Sequence, residues 1–491
     1  MSAERSTYTR GSIAKVMFTT ALSMVPGTLA ISGYNIVDSY FVGKLGTPPQ
    51  AAMGFTFPVV MIVGCIYHGL GGGVMTPVAQ LLGGGRRDQA ARMVTSGIVL
   101  FTLIGLTISL AGIALIDPVF HRLGAGDNLM PMIKKYMVIW YLGSLTVALG
   151  GAGTHLLVSA GKPRIGGAMM MAGLVLNAIL DPFFIFGWGG ASSRICAFLA
   201  DWGITVPEAA GFAAEAYDFL CRLLPPRGIA GAAIATVIAQ AAALVLVTWI
   251  LHFKLHLIAP LSALFPYPRV LHAWQTIFRY GIPAILGMVL NPAGMAVITR
   301  AVKATGNDAA VAAVSVAGKL EAVAFVFPMS LGMSLLPIIG QNFGAKRFDR
   351  IDLCRRISMR FAFVYLLFMS VVYYCCAPYA ARMFSRDPKV VSLMVHYLRV
   401  ITWGFAFIEI HRYSTFYFTG IGRAKSGAAL NIMRVVGFMV PLTVISWLLG
   451  SLEGVFFARL AADVLAGSIG CLLARRLTRR MMAKNPVAPE A

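Results

Sequence analysis

The sequence predicts an all-α polytopic membrane protein with about twelve transmembrane helices in two pseudo-symmetric six-helix bundles. Three observations carry that expectation. The 491-residue chain is 58% hydrophobic and 12% charged, with mean hydropathy +0.77, whereas a soluble domain averages about 25% charged residues. Apolar stretches of at least ~20 residues recur along the whole length. Several sequence strings also return at a fixed offset.

In chain order the spans are read at 13–43, 51–82, 91–116, 130–157, 166–187 and 229–252, then at 274–302, 309–340, 357–378, 392–420, 427–449 and 454–476. The organisation expected is an N-terminal six-helix lobe over 1–252, with an outer loop at 188–228. A cytoplasmic linker over 253–273, a C-terminal six-helix lobe over 274–476 and a cytoplasmic tail over 477–491 follow.

The net charge of +22 would point to nucleic acid in a soluble chain. Here it follows the positive-inside rule, with both ends cytoplasmic and the protein in a bacterial inner (plasma) membrane. Arg5, Arg10, Lys15, the Arg86-Arg87 loop, Lys162 and Arg164, Lys346 to Arg360, Arg423 and Lys425, and the 475–484 tail fall on one side. No nucleic-acid partner is expected. The first apolar segment is too long for the core of a cleavable signal peptide and ends in no clean small-residue site. Seven cysteines show no CxxC and no metal-ligand spacing. Cys196 and Cys221 share the outer loop, where a disulfide would be permitted in a periplasmic setting, although two packed thiols are the expectation.

Gly46, Pro77 and Gly84 map onto Gly306, Pro337 and Gly344, all 260 residues on. Pro77-Val-Ala-Gln-Leu-Leu-Gly-Gly-Gly-Arg-Arg87 faces Pro337-Ile-Ile-Gly-Gln-Asn-Phe-Gly-Ala-Lys-Arg347. The string 161–166 faces 422–427 at offset 261. Six spans per half give the halves the same orientation, so they are parallel repeats about an axis along the membrane normal. Such a layout suits alternating access around a central cavity. Gly83-Gly84-Gly85 lacks the Lys-Ser/Thr of a P-loop, and no ATPase motif occurs elsewhere. An enzyme is not expected: no HExxH, GxSxG or paired-Asp protease pattern lies in a span.

Asp38 and Asp181 are the informative acids. At mid-bilayer an Asp costs roughly 2.5–3.5 kcal/mol on insertion scales, so such a residue marks an ion or substrate pathway by default. The repeat does not explain them, because the equivalent positions are Ile298 and Leu442. Both lie five or six residues before the outer ends of their spans and are expected at one depth. Tyr34 and Asn177 each precede an acid by four residues and share its helix face. A desolvated carboxyl with such neighbours can load and release a proton, as an antiporter's coupling site requires. Pro26, twelve residues before Asp38, removes a backbone hydrogen bond and makes a hinge available.

In the second half, Glu321, Glu409, Arg412 and Arg434 form a possible substrate or charge network. Glu409 and Arg412 stand at i, i+3 and can neutralise each other, while Glu321 could attract a cationic substrate. Met and Phe are abundant and suit promiscuous apolar and cationic ligands, though they are also ordinary membrane core. Residues 207–224 read as a short amphipathic helix on the outer surface, with Phe212, Phe219, Leu220 and Leu223 on one face.

Taken together, these motifs resemble the multidrug and toxic compound extrusion (MATE) family across nearly the whole chain. Pro26, Val37-Asp38 and Gly43-Lys-Leu-Gly46 carry the resemblance in the first span, and Asn177 with Asp181-Pro182 carry it in the fifth. Gly228-Ile-Ala-Gly-Ala-Ala-Ile-Ala-Thr236 opens the sixth, and Gly340-Gln-Asn-Phe-Gly-Ala345 ends the eighth. The resemblance implies a MATE/MOP-type fold of two lobes around a V-shaped cavity. It implies efflux of cationic, lipophilic compounds against inward protons or Na+, coupling roles for Asp38, Asn177 and Asp181, and bending at Pro26. Where NorM-like members carry an acid on the seventh span, this chain has Asn291-Pro292, which leans towards the proton-driven, DinF-like branch. A flippase for lipid-linked saccharides is the runner-up. No cofactor is expected beyond the coupling ion, no metal site, and a monomer in the lipid bilayer.

Overall fold

The computed structural model describes residues 7–201, 225–264, 268–306 and 308–484. Among them are eleven helices long and apolar enough to cross a membrane, and one bent pair that makes a twelfth. The first six are α1 (Ile13–Gly43), α2 (Thr47–Gly83), α3 (Arg87–Ala114), α4 (Met130–Ser159), α5 (Pro163–Gly190) and α6 (Ile229–Lys254). The second six are α7 (Arg269–Thr305), the pair Asp308–Ala324 and Val326–Gly344 taken together as α8, α9 (Phe348–Phe384), α10 (Pro388–Gly420), α11 (Ala424–Leu448) and α12 (Leu452–Lys484).

Four details depart from the hydropathy reading. The eighth span is bent by 59° at Phe325, because the ring of Pro328 would clash with the carbonyl four residues back, that of Ala324. Helix α9 begins nine residues earlier than the apolar run, since Asp349, Asp352, Arg355 and Arg356 continue it as an ion-paired extension. Helix α12 likewise carries the expected tail on to Lys484. The linker is shorter than 253–273, for α6 reaches Lys254 and α7 starts at Arg269. Thr95 exchanges hydrogen bonds with Ala259 across it, 2.9 and 3.0 Å long. Residues 202–224 lie outside the described residues, and with them the helix expected over 207–224 and Cys221, so the Cys196–Cys221 expectation falls outside the described residues as well.

The first six spans pack around one apolar core and the last six around others, with α1 contributing Ile13, Met17 and Ala21 to a cluster made mainly by α8, α9, α10 and α12. The two sets meet along α2 with α7 and along α1 and α2 with α8. Their hydrogen bonds gather at one end, where the basic loops 84–87, 160–163, 345–347 and 421–423 lie; this is the basic end. Tyr8 donates to the Val158 carbonyl at 2.9 Å and its backbone N–H to Gln341 at 3.2 Å. Asn342 donates to the Tyr8 carbonyl at 3.1 Å, and Arg350 donates to the carbonyls of Tyr8, Arg10 and Gly11. Farther from that end they stay in contact, Gly69 and Gly73 of α2 packing on Ile285, Ile277 and Gly281 of α7 and Thr28 of α1 meeting Ser330 of α8 at 2.7 Å. On α2, Tyr67 and Gly71 face α4, while Ala79 and Gln80 face α8. Between those faces runs the stripe Gly64, His68, Gly72, and a Cβ on either glycine would meet nothing within 4 Å. No neighbour packs on either glycine, and the cleft expected between the two sets would lie along that stripe.

Candidate functional site

Helices α1 and α5 run side by side on small residues, the usual means of close approach in lipid. Gly167 rests on the Ser23 carbonyl so closely that a Cβ would lie 2.1 Å from it, and Gly27 and Gly33 pack on Met170 and Leu174. That register brings Asp38 beside Asn177 and Asp181. At Gly187 a left-handed φ of 75° breaks α5. The freed carbonyls of Phe184 and Ile185 accept the N–H groups of Arg227 and Gly228 ahead of α6. Gly231 then packs on the Phe184 carbonyl, where a Cβ would come within 2.2 Å. One turn deeper, Thr236 of α6 faces the acids of α1 and α5.

Asp38 is 6% exposed, Asn177 and Asp181 are 0% exposed, and the two carboxyl groups adjoin one another. Asn177 donates to Asp181 Oδ1 at 3.3 Å and to Thr236 Oγ1 at 3.3 Å. Thr236 divides its single proton between Asp38 Oδ2 at 3.4 Å and the Ala232 carbonyl at 3.0 Å. Three buried oxygens, Asp38 Oδ1, Asp181 Oδ2 and Asn177 Oδ1, have no hydrogen-bond partner. Buried oxygens left this way are costly. The deficit is of donors, and a proton or a small cation supplies what is missing. Tyr136 of α4, 4% exposed, lies near both acids. Neither Thr236 nor Tyr136 stood out as a site residue in the sequence, although Thr236 is the polar exception in Ile229–Val237.

Other sequence-predicted residues fall as follows. The Tyr34 hydroxyl packs against Gly173 instead of bonding Asp38. Pro26 sits within an α1 that is helical from Ile13 to Gly43. Glu409 and Arg412 pair at 2.8 Å as the spacing predicts, with Glu409 fully buried and the Arg412 side chain 32% exposed. Glu321, expected as a lone acid for a cation, is instead ion-paired with Arg459, which also donates to Tyr397. Arg434 pairs with Asp463 at 2.8 Å and donates to Asn291 at 2.8 Å. The seventh-span Asn is thereby committed to an arginine.

Two membrane-spanning bundles related by a repeat, with a water-excluded acid pair in the first, fit a membrane transporter and not an enzyme. The chain belongs to the MatE family of transporters: the MatE family model matches it once in each half, at residues 24–183 and 283–445. It is similar to the FAD transporter of Shewanella oneidensis, 29% identical with 96% of each chain covered. It is also similar to the multidrug export protein MepA of Staphylococcus aureus, 24% identical with 96% of each covered. A solved structure of the Vibrio cholerae MATE transporter VcmN in the bent form superposes with a TM-score of 0.82 at 25% identity, over 96% of this chain and 98% of that one.

Proposed function

We propose that the chain is a secondary active exporter, a single-chain antiporter that drives organic compounds outward against inward protons by alternating access. The desolvated pair of Asp38 and Asp181 carries this reading. Two adjoining carboxyl groups hydrogen-bond to each other only when one holds a proton, and their orphaned oxygens make the loaded and empty states unequal. With the basic end in the cytoplasm of a bacterial inner membrane, the cleft faces outward. Protons then load at the Asp38–Asp181 pair from outside. The lobes 1–252 and 274–476 rock until the basic end opens, and the proton leaves inward as cargo enters. Pro26 lets α1 bend during that motion. Because Asn291 is held by Arg434, Na+ coordination on the second lobe is disfavoured, which supports the DinF-like branch; Na+ at the Asp38 site is the alternative coupling ion.

Cationic or lipophilic cargo is the first reading, in keeping with multidrug export by the relative named above. A second reading, an anionic aromatic cargo such as a flavin nucleotide, has its own support. The carboxylates of Glu321, Glu409 and Asp463 are all paired with arginines, and the exposed member of the Glu409–Arg412 pair is the cation. On the facing lobe His68 and His155 lie 3.5 Å apart, ring nitrogen to ring nitrogen, with His68 on the cleft stripe. Efflux from inverted vesicles under separately imposed proton and sodium gradients tests both points, using a fluorescent cation and FAD in parallel. Asp38→Asn that keeps full proton-driven transport would remove the coupling mechanism. Stimulation by Na+ alone would reassign the ion.

A further inference from the structure

At the basic end the closed contact between the two sets leaves a half-open cavity of about 680 Å³. Its wall is built from both sets and from the segment ahead of α1. Arg10, Arg87, Lys162, Lys346 and Arg347 line it together with Gln341, and no Asp or Glu is among its lining residues within the described part of the chain. Arg87 is anchored to the Leu255 carbonyl and Arg347 to Asp349 at 3.2 Å, so these two are held in place at the wall. Arg10, Lys162 and Lys346 are exposed. Asp349 offsets Arg347, but cations gathered around one shared space still repel each other, and a multiply charged anion between Arg10, Lys162 and Lys346 relieves them together. Ordinary positive-inside placement would scatter these residues around the rim, where lipid headgroups and water screen them separately.

We propose that this cavity binds a phosphate-bearing anion, either a free polyphosphate group or the headgroup of an anionic phospholipid. The contacts are charge-assisted hydrogen bonds from the lysine ammonium and arginine guanidinium groups to phosphate oxygens. The backbone N–H groups of Gly84, Gly85 and Arg86 are already bonded to carbonyls of α2, so side chains do the holding. Lys162 stands on the first set and Lys346 on the second. An anion bridging them binds only while the sets are together, and by linkage it holds the basic end shut.

The repeat supplies an internal control. Offset by 261, Lys162 corresponds to Arg423 and Arg347 to Arg86, and neither Arg423 nor Arg86 lines the cavity. Purified, delipidated protein would be titrated with inorganic pyrophosphate and followed by thermal unfolding, and separately with phosphatidylglycerol or phosphatidylcholine and followed by native mass spectrometry. The expected result is saturable stabilisation by pyrophosphate. The double variant Lys162→Gln/Lys346→Gln should weaken it about tenfold, for the loss of two charge-assisted contacts. Arg86→Gln/Arg423→Gln, which removes the same charge, should leave it within about twofold. Phosphatidylglycerol that competes with pyrophosphate identifies a lipid headgroup as the natural ligand; pyrophosphate binding indifferent to that lipid identifies a free phosphate. No saturable binding of either probe, or equal loss in both double variants, would overturn the site.

Discussion

Gln80 and Gln341, 261 residues apart, hold each other's halves by the same bond in opposite directions. Gln80 Nε2 donates to the Gly420 carbonyl at 2.8 Å, and Gln341 Nε2 donates to the Ser159 carbonyl at 2.6 Å. Ser159 and Gly420 are themselves 261 apart. The packing beneath is reciprocal as well. A Cβ on Gly83 would lie 1.9 Å from the Gln341 carbonyl, and one on Gly344 would lie 1.9 Å from the Gln80 carbonyl. The basic end is therefore closed by a twofold pair of latches, each formed by one half on the other.

Removing one latch should loosen the closed state without dismantling either bundle. A buried amide-to-carbonyl bond contributes about 0.5–1.5 kcal/mol, so Gln80→Ala or Gln341→Ala should each shift the closed-to-open ratio by about 2- to 10-fold. The double variant should shift it by about the product. Accessibility of a cysteine placed at Ala79 to a membrane-impermeant maleimide reads the change. If only one glutamine mattered, the reciprocal latch would be wrong.

Thr236→Val should disable coupling more than folding. Valine keeps the shape but withdraws the donor to Asp38 Oδ2 and the acceptor for Asn177. Leaving those buried groups unmet costs about 1–3 kcal/mol. Proton-driven efflux should fall about tenfold or more and its pH midpoint should move, whereas Thr236→Ser should restore both. A midpoint unchanged in Thr236→Val would show that the hydroxyl only packs.

The fold was largely readable because membrane insertion leaves its mark on hydropathy and the repeat leaves its mark on spacing. The acids were readable for the same reason: Asp38 and Asp181 stand out against lipid, and Asn177 shares a face with its acid by helix periodicity. Pairing along one helix was also legible, as with Glu409 and Arg412. Pairing across the bundle was not. Glu321 finds Arg459 138 residues away, a contact fixed by how α8 and α12 both pack on α10 and by nothing local. Tyr136 gave no signal, since a tyrosine near the end of a span is commonplace. The bend at Phe325 was within reach, because Pro328 was in view, but an uninterrupted apolar run over 309–340 read as one span.

The seam between α1 and α5 should tolerate no side chain at Gly167. The Ser23 carbonyl 2.1 Å from a Cβ is backbone, so relief requires the helices to separate. Overpacking of this kind costs about 1–3 kcal/mol. Gly167→Ala should lower the thermal midpoint and also reduce proton-driven efflux, because parting α1 from α5 parts Asp38 from Asp181. Gly72→Ala, with open space around its Cβ, should leave the midpoint unchanged. Equal midpoints for the two variants would contradict the described helix spacing.

Arg434 tests whether the second lobe's charges serve structure or cargo. It is 6% exposed, Asp463 is 4% exposed, and the bond between them runs from the π-helical turn Met433–Met439 of α11 to the middle of α12. Breaking such a pair from one side leaves a buried charge and costs about 3–5 kcal/mol, whereas replacing both partners by apolar residues is often neutral. Arg434→Met should therefore unfold at a markedly lower temperature, and Arg434→Met/Asp463→Leu should recover most of the loss. If the pair is structural, the recovered double variant should also export with an unchanged KM. A double variant that is stable yet has a KM raised about tenfold would place Arg434 in contact with cargo and strengthen the anionic reading, since the guanidinium is the cationic member of the pair it replaces.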